Sequence, residues 1–306
     1  MTAHPPVKFV EANGVRFAYL EEGEGPLVLL VHGFPDTAHS FDEVRPALAA
    51  AGYRAVAPFT RGYFPTAIPA DGKYDAETLG RDLLALIPAL GAEQAVVVGH
   101  DWGASAAYTA ASLTPARVKL LVTVAIPHPA VLLRPSPRLL WGARHMLRFQ
   151  LPGATSMLRA NNYAHVDELV RRWSPAWHFS KDETAAVKEC FAHPGVVEAA
   201  LGYYRAISLR LLPELLQPLQ VPGVVFSGSG DPVLSRLDYE KARRFYAKDY
   251  EIVEMPGGHF LHNDTRAEVE EWGRATGLVA VDARMVRLAS APGRDLFDSA
   301  VLHARQ

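Results

Sequence analysis

A chain of 306 residues, 49% hydrophobic and 21% charged, is long enough to bury one large core and carry an insertion. Its 31 basic and 33 acidic side chains leave a formal charge of −2, and no basic run interleaved with aromatics offers a nucleic-acid surface. The start lacks the apolar core of a signal peptide, no apolar run approaches the ~20 residues needed to span a bilayer, and the lone Cys190 excludes an intrachain disulfide or a multi-cysteine metal site.

From these features we expect a soluble, cytoplasmic protein with no membrane or nucleic-acid partner, and a buried Cys190. Along the chain, the alternating runs Val7–Glu11 and Val15–Leu20 flank Asn13-Gly14, the signal of a tight hairpin. The continuous apolar run Pro26–Val31 suits a strand covered on both faces and ends at His32-Gly33-Phe34-Pro35-Asp36. Phe41, Val44, Leu48 and Ala51 are spaced for a helix over 41–51, closed by Gly52, and a strand over Tyr53–Pro58 follows. Asp75 is placed to cap a helix whose apolar face is Leu79, Leu83, Ile87 and Leu90.

Val96-Val97-Val98-Gly99-His100-Asp101-Trp102-Gly103-Ala104 then predicts strand, sharp turn and helix, the helix running to about Thr114. A turn of the form Gly-x-nucleophile-x-Gly needs small residues on either side because its strained backbone leaves no room for side chains. The middle residue here is Asp101. A carboxylate is already ionised at neutral pH, so it suits attack on a saturated carbon bearing a leaving group and leaves a histidine free for the second, water-activating step.

A strand over Lys119–Ile126 completes an alternation that predicts a mostly parallel, doubly wound sheet. Residues 128–218 interrupt it with helical patterns rich in Arg, Leu and aromatics, read as a helical cap inserted after the sixth core strand. The core therefore comprises 1–127 and 219–280. It resumes with the strand Val221–Phe226, which leads to Gly228-Ser229-Gly230-Asp231. A helix near 238–247, the strand Tyr250–Met255 ending at Gly257-Gly258-His259-Phe260, and a helix over roughly 264–276 follow. Residues 281–306 form a C-terminal extension with no recognisable cleft motif.

Asp101, Asp231 and His259 each follow an apolar strand in a glycine-bearing turn. Singly, Asp231 before Pro232 could be a turn former and His259 a loop histidine. Together they stand in nucleophile, acid, base order. With His32-Gly33-Phe34-Pro35, these motifs resemble the epoxide hydrolase branch of the α/β-hydrolase fold and its relatives the haloalkane dehalogenases, over roughly residues 7–278.

The resemblance implies an oxyanion hole from the backbone N–H groups of Phe34 and Trp102, with the side chains of His32 and Pro35 as structural support. It implies Phe34, Trp102 and Phe149 as substrate-binding residues. Leu201-Gly202-Tyr203-Tyr204-Arg205 resembles the lid motif whose tyrosine binds the epoxide oxygen, which maps that role onto Tyr204. Adjacent helical residues point ~100° apart, so Tyr203 is assigned to lid packing. Phe149-Gln150-Leu151-Pro152-Gly153 matches a second lid segment, but His145 stands where the family usually has a second tyrosine. His145 is therefore the expected partner donor, and it must be protonated or use its neutral N–H; Tyr163 and His165 are the fallback donors.

An opening epoxide develops an alkoxide that wants a proton, whereas a departing halide wants only N–H donors. Trp102 beside the nucleophile suits either chemistry. Phe34, where many dehalogenases place Asn, favours the epoxide. The expected activity is hydrolysis of an apolar or aromatic epoxide by water to a vicinal diol through an ester on Asp101, without metal or organic cofactor, by a monomer or homodimer. Dehalogenation by the same nucleophile and non-catalytic binding of a small ligand are the alternatives.

Overall fold

The computed structural model describes residues 6–180, 182–208 and 210–264. β1 (Lys8–Ala12) and β2 (Val15–Glu22) form the expected hairpin, Ala12 opposite Val15, across Asn13 and Gly14, both at positive φ. β3 (Leu27–Val31), β4 (Arg54–Pro58), β5 (Ala95–His100), β6 (Val118–Val124), β7 (Gly223–Gly228) and β8 (Tyr250–Met255) complete one eight-stranded sheet. The order is β1-β2-β4-β3-β5-β6-β7-β8, with the β1·β2 and β2·β4 pairings antiparallel and the remaining pairings parallel. Every residue of β3 and β5 is buried, as their unbroken apolar sequences require.

Two helices depart from their expected bounds. A 3₁₀ turn over Ala38–Phe41, capped by Thr37, precedes α1 (Val44–Ala50) instead of one helix over 41–51. Pro46 has no N–H for the carbonyl of Asp42, so the helix cannot extend back through that residue. α9 (Arg236–Ala242) starts before 238 because Ser235 and Asp238 form a reciprocal capping box, and it tightens to 3₁₀ geometry at Arg243–Phe245. α2 (Ala76–Ala89) begins as expected, Asp75 accepting from the Thr78 amide at 3.0 Å. It packs on α3 (Trp102–Leu113) and β1.

Between β6 and β7 the described residues form no strand. They build α4 (Pro137–Gly142), α5 (Arg144–Gln150), α6 (Ala154–Trp173), α7 (Ala185–Ala192) and α8 (Val196–Arg205). The backbone of α6 leaves helical geometry at Ala160, and Asn161, Asn162 and Tyr163 are left-handed, so α6 is two helical pieces meeting at a corner. Paired asparagines suit that corner because their short polar side chains tolerate the left-handed region. α10 (Leu261–Asp264) follows β8; the helix expected over 264–276 and the extension 281–306 lie outside the described residues beyond that point.

Candidate active site

The carboxyl ends of β3, β5, β7 and β8 bring together the residues that the turn motifs single out. Asp101, between β5 and α3, has φ 51° and ψ −117°. The turn is possible only with glycine at its flanks: a Cβ on Gly103 would lie 2.0 Å from the Val31 carbonyl oxygen, and one on Gly99 2.4 Å from the Gly103 carbonyl oxygen. The strand pairing of β3 beside β5 places Phe34 against this turn, and its backbone N–H donates to Asp101 Oδ1 at 2.9 Å. The loop carrying Phe34, with a cis Phe34-Pro35 bond, is braced by buried His32. The His32 Nδ1–H donates to the Gly33 carbonyl at 2.9 Å, and its Nε2 accepts from the Thr60 amide at 3.0 Å. Burial holds the His32 imidazole neutral, its pKa lowered to about 4.

His259 Nε2 lies 3.4 Å from Asp101 Oδ2, and its Nδ1 lies 3.8 Å from Asp231 Oδ2. Asp231 is fully buried. Its Oδ1 accepts from the amides of Val233 at 2.7 Å and Leu234 at 3.0 Å, while its Oδ2 has no hydrogen-bond partner and is left to His259. Burial alone would lower the pKa of His259, but the flanking carboxylates of Asp101 and Asp231 outweigh it and raise it to about 9.

The backbone of the same histidine is tied from both sides. Its N–H donates to the carbonyl of Trp173 at the end of α6 at 2.9 Å, and its carbonyl accepts from Nε2–H of buried His100 at 3.0 Å. The next amide, Phe260, donates to Ser174 Oγ at 3.0 Å.

Above Asp101 the helices between β6 and β7 supply an aromatic wall. The Tyr204 ring stands 5.2 Å from Phe34, 5.2 Å from Trp102, 4.8 Å from Phe149 and 5.8 Å from His145. Burial, reinforced by the charge of Asp101, pushes the Tyr204 hydroxyl well above its ordinary pKa, so it is a stable proton donor. Tyr203, one residue earlier, turns away and donates to the Arg61 carbonyl at 2.8 Å. His145 is buried, and its Nδ1–H donates to the Gly142 carbonyl at 3.1 Å. Burial lowers its pKa to about 4. The neutral ring has thus already committed its N–H, and its free Nε2 is an acceptor. The expectation that His145 donates through its neutral N–H does not match this arrangement.

The fallback donors are engaged elsewhere. The Tyr163 hydroxyl donates to the Phe191 carbonyl at 3.1 Å, and His165 Nδ1 lies 2.7 Å from Glu168. Cys190 is buried as expected. Two wall residues are absent from the sequence expectations. Trp173 sits 5.5 Å from His259 and 4.7 Å from His145, and Phe191 stacks 5.8 Å from Phe34. Neither carries a motif; both become visible only when the corner in α6 and the packing of α7 are known.

Residues 26–264 match the family described as alpha/beta hydrolase fold. The chain is 31% identical over 271 residues to the AB hydrolase superfamily protein YfhM of Bacillus subtilis, covering 86% of this chain and 95% of that protein. It is 31% identical over 307 residues to epoxide hydrolase A of Mycobacterium tuberculosis, covering 87% and 95%. The crystal structure of epoxide hydrolase VrEH1 from Vigna radiata is similar with a TM-score of 0.72 at 28% identity, over 90% of this chain and 98% of that one. Among the described residues, no helix is long and apolar enough to cross a membrane.

Proposed function

The chain belongs to the α/β-hydrolase fold family and is an epoxide hydrolase, and from that premise we propose how its residues divide the reaction. The carboxylate of Asp101 attacks an epoxide carbon while the Tyr204 hydroxyl gives its proton to the opening oxygen. The products of that step are a hydroxyalkyl ester on Asp101 and a tyrosinate. The observation that carries this reading is a buried tyrosine, held protonated, whose ring packs on Trp102 and Phe34 directly beside the nucleophile.

Esterification removes the negative charge of Asp101, one of the two carboxylates that keep His259 protonated. His259 then loses its proton, which restores Tyr204 through solvent. The neutral imidazole takes a proton from water, and the hydroxide attacks the carbonyl carbon of the ester. Backbone N–H groups of Phe34 and Trp102 hold the resulting oxyanion, and Asp231 stabilises the imidazolium. Collapse releases the diol and returns Asp101 as a carboxylate. His145 accepts at Nε2 and serves as the second donor only after taking up a proton, so its contribution grows in acid. Phe34, Trp102 and Phe149 line the apolar end of the substrate site, consistent with an apolar or aromatic epoxide. Residues 128–218 act as its cap over the core 1–127 and 219–280, and we place the protein in the cytoplasm.

Intact mass of a His259→Gln variant tests the assignment, because blocking the water step lets the ester accumulate. With styrene oxide we expect an adduct of the whole epoxide that is absent after Asp101→Ala. A butyl adduct from 1-bromobutane, with styrene oxide leaving none, would move the reading to dehalogenation.

A further inference from the structure

The wall beyond His145 is unusually cationic. Three arginines, Arg144, Arg148 and Arg172, come close enough there to act on one another. Arg144 and Arg148 lie one helical turn apart on α5 and bracket His145. Across from them at the end of α6, the guanidinium of Arg172 stacks over Trp173 at 5.5 Å, and Trp173 in turn packs 4.7 Å from His145.

No carboxylate among the described residues pairs with Arg144, Arg148 or Arg172. Arg144 donates to the Trp141 carbonyl at 2.7 Å and lies over its ring. Nε and Nη2 of Arg172 are buried with no hydrogen-bond partner, and so is the indole Nε1 of the adjoining Trp173. Three unsatisfied N–H donors in one wall, one pair of them on a cation, are costly to leave unmade. Burial, and after it the charges of Arg144 and Arg148, weakens the hold of Arg172 on its proton, while Arg172 itself acts on His145 and Tyr204. The cationic group therefore borders the reacting end of the cleft.

Deepening the epoxide hydrolase reading on which it rests, we propose that the substrate is an epoxide with an apolar body and an anionic group, a carboxylate in the simplest case, held by Arg172 beside the Trp173 indole N–H with Arg144 and Arg148 behind. The planar guanidinium fork matches a carboxylate in two parallel hydrogen bonds, and neighbouring like charges make the site unfavourable until an anion enters.

The test is kcat/KM for terminal ω-epoxy carboxylates of four to eleven carbons, each beside its primary amide, with styrene oxide as an uncharged reference. For at least one chain length the carboxylate should exceed its amide by tenfold or more, chiefly through KM, and the ratio should fall as NaCl is raised. Arg172→Gln should bring that ratio close to one, and Arg172→Lys should keep part of it. The wild-type ratio is informative even where a variant folds poorly. Amides hydrolysed as well as carboxylates at every length would overturn the anionic subsite and leave the epoxide hydrolase reading standing. A ratio unchanged by Arg172→Gln would also overturn it. Styrene oxide, amides and carboxylates all untouched by the wild-type protein would count against both readings.

Discussion

In the proposed mechanism Tyr204 and His259 divide the proton chemistry, and the environment of each decides which way. Tyr204 is buried and faces the Asp101 charge, so its phenol resists ionisation and is available to donate. Removing the hydroxyl with Tyr204→Phe should lower kcat/KM for styrene oxide by roughly 10²–10³, the range of a general acid, and adding Tyr204→Phe to His259→Gln should slow formation of the ester adduct without abolishing it. The three strand-end residues were legible in the sequence because each follows an apolar run and sits among glycines that only a sharp turn demands. Tyr204 was legible from a lid motif. Trp173, Phe191 and Arg172 were not, since they lie on helices whose periodicity reports burial but not which neighbour is met. The protonation of His145 was also beyond the sequence: its partner, the Gly142 carbonyl, is set by the local course of the chain between α4 and α5.

At the scale of elements, the contact between β3 and the start of α3 decides whether the nucleophile can be presented at all. A methyl group on Gly103 would meet backbone rather than a movable side chain. We expect Gly103→Ala to yield little folded protein, or protein with a markedly lower Tm and no measurable turnover, by circular dichroism and styrene oxide assay. Behind this turn, Arg61 and Asp82 form a buried two-point ion pair, Nη2 to Oδ1 and Nε to Oδ2 both at 2.7 Å, and Asn13 of the hairpin donates to the same carboxylate at 2.7 Å. Asp82→Ala leaves the guanidinium with Asp71, which is exposed, and a long bond to the Lys73 carbonyl, and should cost about 3–5 kcal/mol by urea denaturation. The alternation of strand and helix foretold this scaffold well; the start of α1 and the bounds of α9 differed where a proline and a capping box took over from apolar spacing.

Across the whole molecule, buried histidines set the range of pH in which the fold is secure. His32, His128 and His145 are each lowered to about 4, below the ordinary 6.5, so the folded chain binds fewer protons than the unfolded one between those values. Stability is therefore full above about 6.5 and is lost as pH falls toward 4, by at most ~3 kcal/mol per histidine. His259 has the opposite sign. Raised to about 9, it contributes stability that is complete below 6.5 and is lost as pH rises through 9. Thermal melts should show a maximum near neutral pH with a fall on both sides, and His259→Gln should flatten the alkaline fall alone. An acid limb absent between pH 6.5 and 4 would contradict the buried neutral histidines.

The hydrogen bond from the His259 amide to the Trp173 carbonyl joins the catalytic loop to the end of α6. With the bond from the Phe260 amide to Ser174 Oγ, it holds the backbone of two successive residues against that helix end. The histidine and the aromatic wall above it thus share one backbone anchor, so damage at the end of α6 reaches the base as well as the pocket.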